Sequence, residues 1–337
     1  MKAISTVKTS FLACVALGVA LTVSGCTGDF GLGTAPDPTA RSLVIHADRV
    51  TLLDLAHVGP SLLVVGERGI IGRSDDGGKT WQIKQVPISR TLTAVAFIGE
   101  EVGVAVGHGG TILRTDDGGH TWSVVTVEEA GSDAVLGITA LKNGHFVAYG
   151  AFGMFLVSSD QGKTWTRQTV VADTFDRHIS RVLETTFGAM FLVGETGTIA
   201  KSVDGGETWT ELQSPYEGSF FGILELKEGV LLVFGMRGNI FRSTDQGKTW
   251  AQVPFASDAT LNGGSIANDG RIVLAGNRGL LAISSDGGRS FAISTAPEGT
   301  SLSQARLLSD GTLVYVGVMA TGRLPAAMTT TSNVGSN

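Results

Sequence analysis

An eight-residue stretch, Ser74-Asp75-Asp76-Gly77-Gly78-Lys79-Thr80-Trp81, returns at 115–122, 158–165, 202–209 and 243–250, with a weaker sixth copy at 284–291. Each copy reads Ser/Thr-x-Asp-x-Gly-x-Thr/Ser-Trp/Phe. All five tryptophans of the chain close a copy, and Phe291 closes the sixth. The steps from Trp81 to Phe291 are 41, 43, 44, 41 and 41 residues. A unit of this length cannot bury its own apolar face, so the repeats must stack on one another.

Within the first unit, residues 51–58, 61–65, 70–73 and 81–86 read as four short strands, A to D, separated by turn residues. Strand B ends on a glycine in each unit (Gly66, Gly107, Gly150, Gly194, Gly235, Gly276), and a second glycine follows three residues later. Such pairs permit a tight B–C turn with positive φ. Later units begin near Leu92, Val135, Ile179, Phe220 and Leu261. After Phe291 an A–B pair follows at 302–308 and 312–316, and 322–330 reads as a degenerate third strand. The fold class is therefore all-β: a seven-bladed β-propeller of four-stranded antiparallel blades, with six blades as the alternative count. A short strand at 43–46 is expected to complete the last blade, so that N- and C-terminal strands pair and close the ring.

The N-terminus reads as a targeting segment. Lys2 and Lys8 precede an apolar run at 11–23, too short for a comfortable membrane span. Val23-Ser24-Gly25-Cys26 resembles a bacterial lipobox, which implies cleavage before Cys26 and lipidation of its thiol. The expected organisation is a signal peptide at 1–25, a lipidated flexible tether at 26–40, a propeller at 41–330 and a tail at 331–337. Thr27 follows the lipidated position instead of Asp, so an exported lipoprotein on the periplasmic face of the outer membrane is expected (the thylakoid lumen in a photosynthetic host). Cys14 leaves with the leader, and Cys26 alone allows no intrachain disulfide. Removing Lys2 and Lys8 with the leader moves the formal charge from −6 to −8. That acidity argues against nucleic-acid partners.

The repeated turn is the Asp-box, also called the bacterial neuraminidase repeat. A structural role is expected for Asp76, Trp81, Asp117, Trp122, Asp160, Trp165, Asp204, Trp209, Asp245, Trp250, Asp286 and Phe291. The carboxylate and hydroxyl can accept bonds from turn N–H groups, and the ring can pack between sheets. Calcium binding is the alternative, but the spacing lacks the alternating oxygen ligands and closing Glu of an EF-hand loop. The six histidines scatter over several blades, and neither His-x-x-x-His nor Cys-x-x-Cys occurs, so no metal and no cofactor are expected. Neither a nucleophile elbow nor a Walker loop is present.

Propeller topology puts A–B and C–D turns on one face, and B–C and D–A connections on the other. The Asp-boxes are C–D turns. Function sits more often on variable loops, here the opposite face. Its B–C loops carry Glu67, Arg68, His108, Phe152, Glu195, Met236, Arg237, Asn277 and Arg278, and its D–A connections carry Arg90, Arg177 and His178. Arg68, His108, Phe152, Arg177, His178, Met236, Arg237 and Arg278 are the candidate partner contacts, set against a merely solvated rim. Aligning the A strands places Asp54, Ala94, Gly137, Arg181, Gly222, Gly263 and Gln304 at one position. Small residues suit a crowded central channel. Asp54, Arg181 and Gln304 break that pattern and are expected to line it, as a cross-channel contact or a ligand site. Arg73, Arg114 and Arg242 recur just before the Asp-box and are expected to cover apolar surface with their stems.

The pattern Gly-x-x-Gly-x-Ile-x-Arg-Ser-x-Asp-x-Gly-x-Thr-Trp, best kept at 66–81 and 107–122, resembles the photosystem II stability/assembly factor family. The resemblance spans about 43–325. It implies an exported seven-bladed propeller acting as a non-catalytic assembly factor on a membrane-protein subunit, with some members lipidated. Relatives outside photosynthesis imply an exporter complex as another partner. The expected partners are therefore an integral membrane protein or complex, and the bilayer through Cys26. A glycan- or cell-wall-binding propeller is the alternative. A sialidase-like hydrolase is a further one, but the Arg-Ile-Pro signature is absent and only Tyr149, Tyr216 and Tyr315 are available as a tyrosine nucleophile.

Overall fold

The computed structural model describes residues 45–325. The leader, Cys26, the tether and the tail lie outside the described residues. Seven antiparallel sheets follow one another, six of four strands and one of three, each with its strands in sequence order. This is a seven-bladed propeller. Blade 1 comprises Leu52–Val58, Ser61–Gly66, Ile70–Ser74 and Gln82–Gln85. Its second strand is buried throughout, while its fourth is mostly exposed. Strand B is enclosed by neighbours on both faces, so it is an apolar run without alternation. Strand D forms the rim and shrinks to two residues in blades 3 to 5.

The core is divided into seven clusters, one at each interface between blades. Between blades 1 and 2, Leu63, Val65 and Ile71 meet Leu92, Ala105 and Leu113, with Trp122 packed against them. Trp165 joins Val104 and Val106 of blade 2, and Trp209 joins Val147 and Phe155 of blade 3. The Asp-box ring of each blade thus fills the seam with the blade before it. The glycine ahead of that ring lets the turn approach the seam. At Gly119 a methyl group would come within 2.4 Å of Leu63.

The closing seam departs from the expectation. Blade 7 has three strands among the described residues, Leu302–Leu307, Thr312–Gly317 and Ala320–Pro325. Its third strand starts two residues earlier than the sequence pattern suggests. Leu43 and Val44 lie outside the described residues, and Ile45 and His46 are not in a strand. The chain instead turns through a 3-10 segment, Ala47–Arg49, that packs against the third strand. Val314 and Val316 of blade 7 pack on Leu52, Leu55, Leu62 and Val64 of blade 1. A polar bond spans the same seam, Arg306 Nε donating to the Leu55 carbonyl at 2.5 Å.

The repeated arginines do more than cover apolar surface. Arg73 donates to the Gly118 carbonyl at 2.7 Å, Arg114 to Gln161 at 2.7 Å and Arg242 to Gly287 at 3.0 Å. Each acceptor belongs to the Asp-box turn of the following blade. Lys201 makes the related contact with the Gln246 side chain at 3.0 Å. These bonds latch successive blades on the Asp-box face. Arg114 is almost fully buried there.

Candidate functional site

The Asp-box turns are closed hydrogen-bond networks. In the first, Asp76 Oδ1 accepts from the Ser74 hydroxyl at 2.8 Å, and from Lys79 N and Thr80 N at 3.0 and 2.9 Å. Its Oδ2 accepts from Thr80 Oγ1 at 2.6 Å, and Ser74 Oγ accepts from Gly78 N at 2.8 Å. The same network recurs around Asp160, Asp204, Asp245 and Asp286, and with Thr115 as the hydroxyl around Asp117. The carboxylate oxygens are thus committed to the turn. Among the described residues, no three His, Cys, Asp or Glu side chains converge as metal ligands would.

These bonds favour the ionised acid. The Thr249 hydroxyl and amide hold Asp245 near pKa 2. Burial opposes the shift at Asp117, Asp160 and Asp286, but donors from the turn still bring each to about 2. Asp76 and Asp204 fall lower still. A depressed folded pKa gives stability that is complete above the unfolded value near 3.8 and lost as pH falls through the folded one. Acid titration followed by near-UV circular dichroism is expected to show cooperative loss of structure between about pH 4 and pH 2. Gly substitution of one box Asp should move that transition towards higher pH.

The opposite face is built from the B–C turns. In each, the residue after the first turn position is left-handed: Arg68 (φ 56°), Gly109 (65°), Phe152 (53°), Thr196 (51°), Arg237 (56°), Arg278 (60°) and Met319 (47°). Glycine fits this position best, and blade 2 uses it. Six blades instead place a side chain there, and all six are exposed. Each such residue carries strain of about 1–2 kcal/mol that glycine would relieve.

The candidate contacts divide into two groups on this face. Phe152, Arg177 and His178 form one cluster at blades 3 and 4. The Phe152 and His178 rings meet edge-on at 5.2 Å, Arg177 lies 4.9 Å over Phe175, and it pairs with Glu211 at 2.6 Å. His178 Nδ1 lies 3.3 Å from Glu195. Arg237, Arg278 and Arg68 occupy the apices of blades 5, 6 and 1, with Met319 of blade 7 between the last two. Arg278 is paired with Asp258. His108 is exposed but precedes its apex, and Met236 is half-buried beside its own. Thr196 and Met319 were not among the expected contacts. Met319 was hidden because Ala320 replaces the second glycine of its turn.

Asp54, Arg181 and Gln304 line the central channel with Gly137, Gly222 and Gly263. Glycine is required at two of these places by rings behind them. An added methyl would lie 2.2 Å from the Tyr149 ring at Gly137, and 2.1 Å from Phe234 at Gly222. Every A strand bulges at this level. In blade 1 the register skips between Leu52 and Asp54, and in blade 7 between Leu302 and Gln304. The bulge turns an extra residue, such as Leu53, Thr93 or Ser303, onto the lumen as well. Arg306 and His57 also line the channel. Arg306 lies two residues beyond Gln304, so strand alternation carried one step further would have found it. Burial, and then the charge of Arg306, lower the His57 pKa.

Residues 40–186 match the family model described as photosynthesis system II assembly factor YCF48, and 241–252 match the BNR/Asp-box repeat. The chain is an Asp-box propeller similar over residues 40–186 to the photosystem II assembly factor family. Two YCF48 structures share its fold. YCF48 bound to a D1 peptide is 20% identical over 82% of this chain and 91% of its own, with TM-score 0.68. YCF48 from Cyanidioschyzon merolae is 18% identical over 80% and 94%, with TM-score 0.64. Virginiamycin B lyase from Staphylococcus aureus, an enzyme, has the same architecture at 13% identity over 80% and 92%, with TM-score 0.66. Such likenesses carry the fold and not the activity. No curated protein matches the chain.

Proposed function

We propose that this propeller is a non-catalytic, membrane-tethered binding scaffold that docks an integral membrane protein or complex through its B–C/D–A face. The observation that carries this reading is the ring of exposed, left-handed apex side chains. The fold would accept glycine at every one of them, so Arg68, Phe152, Arg237, Arg278 and Met319 are retained against local strain. Large apolar and arginine side chains together are the composition of a protein-binding surface. The family match and the D1-peptide complex of a structural neighbour support a membrane-protein partner. The lipobox at Cys26 supports tethering at the periplasmic side of a membrane, the outer membrane by its Thr27.

The tyrosines support absence of sialidase-type catalysis. Tyr149 and Tyr315 are fully buried, and Tyr216 packs against Phe220 and Phe241. Capture of partners from native membranes with Arg68→Glu, Arg237→Glu and Arg278→Glu tests the reading. Each substitution is expected to lower recovery by tenfold or more. Unaltered recovery with all three would contradict it.

A further inference from the structure

The channel holds two arginines that the B–C/D–A face does not explain. On the Asp-box side of its waist it opens into a cavity of about 530 Å³ lined by Asp54, His57, Arg181 and Arg306. Such a volume suits a small molecule. Among the described residues, neither Arg181 nor Arg306 forms an ion pair with a carboxylate. Asp54, the acid at this level, spends both oxygens on backbone amides: Oδ1 accepts from Leu55 N at 2.8 Å and Oδ2 from Val95 N at 3.0 Å.

The acids at the wider mouth are likewise occupied. Glu184 accepts from Lys142 N at 2.7 Å, and Glu225 from the amide and hydroxyl of Thr186 at 2.6 and 2.7 Å. Arg306 uses Nε on the Leu55 carbonyl, which leaves its two terminal nitrogens. Two guanidiniums thus line one shared cavity without a direct ion pair, with the Asp54 carboxylate as an opposite charge nearby. A guanidinium fork matches the paired oxygens of a carboxylate or phosphate. Burial, and to a lesser extent the charge of Arg181, lower the Arg306 pKa, against the opposing pull of Asp54.

We propose that the channel binds a small oxyanion of the carboxylate or phosphate class between Arg181 and Arg306. This site is independent of the docking face and of any partner held there. Bound there, the anion ties blade 4 to blade 7 across the lumen and reinforces the seam that Arg306 closes with blade 1.

Isothermal titration of the full chain with phosphate and with succinate, in chloride at constant ionic strength, tests the site. Saturable one-site binding is expected for at least one of the two, and which one saturates fixes the ligand class. Arg181→Met should weaken that binding tenfold or more, while Arg181→Lys should retain part of it. A thermal melt of each variant shows that it is folded, and the lysine variant keeps the test decisive should the methionine variant unfold. Absence of saturable binding of either ion, or equal binding by the wild-type chain and a folded Arg181→Met variant, would overturn the proposal.

Discussion

Replacing Trp209 by alanine is expected to lower the unfolding free energy by about 3–5 kcal/mol. Trp209 is almost fully buried between blades 3 and 4. Its ring meets Phe155 edge-on at 5.7 Å, and its Nε1 donates to the Gly206 carbonyl at 3.0 Å. Removal forfeits the transfer of a large aromatic ring and leaves a cavity in a seam that rigid sheets cannot close. The Gly206 carbonyl also loses its donor. The damage should be felt around the ring, because each blade is held only by its two neighbours. Urea denaturation of wild-type and Trp209→Ala chains measures the loss directly. Partner recovery by the variant, at temperatures where it is folded, should be unchanged.

Glycine at the B–C apices is expected to have the converse effect. In Arg68→Gly, Arg237→Gly and Arg278→Gly, relief of a left-handed residue returns about 1–2 kcal/mol. The added freedom of the unfolded chain removes about 0.5–1 kcal/mol. The net change at each site is thus small and in the stabilising direction. The ion pair lost at Arg278 is solvent-exposed and worth little. The triple variant should therefore be as stable as the wild-type chain or more so. Its recovery of a membrane partner should fall by at least tenfold, because three exposed arginines have been removed from one arc of the face. A fold that stabilises as binding is lost separates function from architecture in one protein.

The blades were legible in the sequence because one turn repeats at a near-constant step, and its Trp marks each seam. The ring closure was not. Blade 7 lacks the Asp-box, so nothing in its sequence marks where strand three begins, and the closing bond joins Arg306 to Leu55 across almost the whole chain. The channel row was partly legible: strand alternation points Asp54, Arg181 and Gln304 together. The bulge in every A strand breaks that alternation and adds Leu53, Thr93 and Ser303 to the lumen. Arg306 lay one alternation step past the aligned row. The B–C/D–A face was legible as a set of loops, but its left-handed apices were not. Paired glycines announce a turn, and they do not say that the residue between them is the strained one. The arginine latches between blades were equally hidden, since an arginine before a turn looks the same whether it lies on its own sheet or reaches the next.

In the proposed function the Asp-box face builds the propeller and the opposite face binds the partner. Partner capture from native membranes, run side by side with urea denaturation, tests it on two variants: the apex triple Arg68→Gly, Arg237→Gly, Arg278→Gly, and Trp209→Ala. The apex triple should keep its stability and lose its partner, and Trp209→Ala should lose stability and keep its partner while folded. Full partner recovery by the apex triple, with loss of the partner in folded Trp209→Ala, would overturn this division of labour between the two faces.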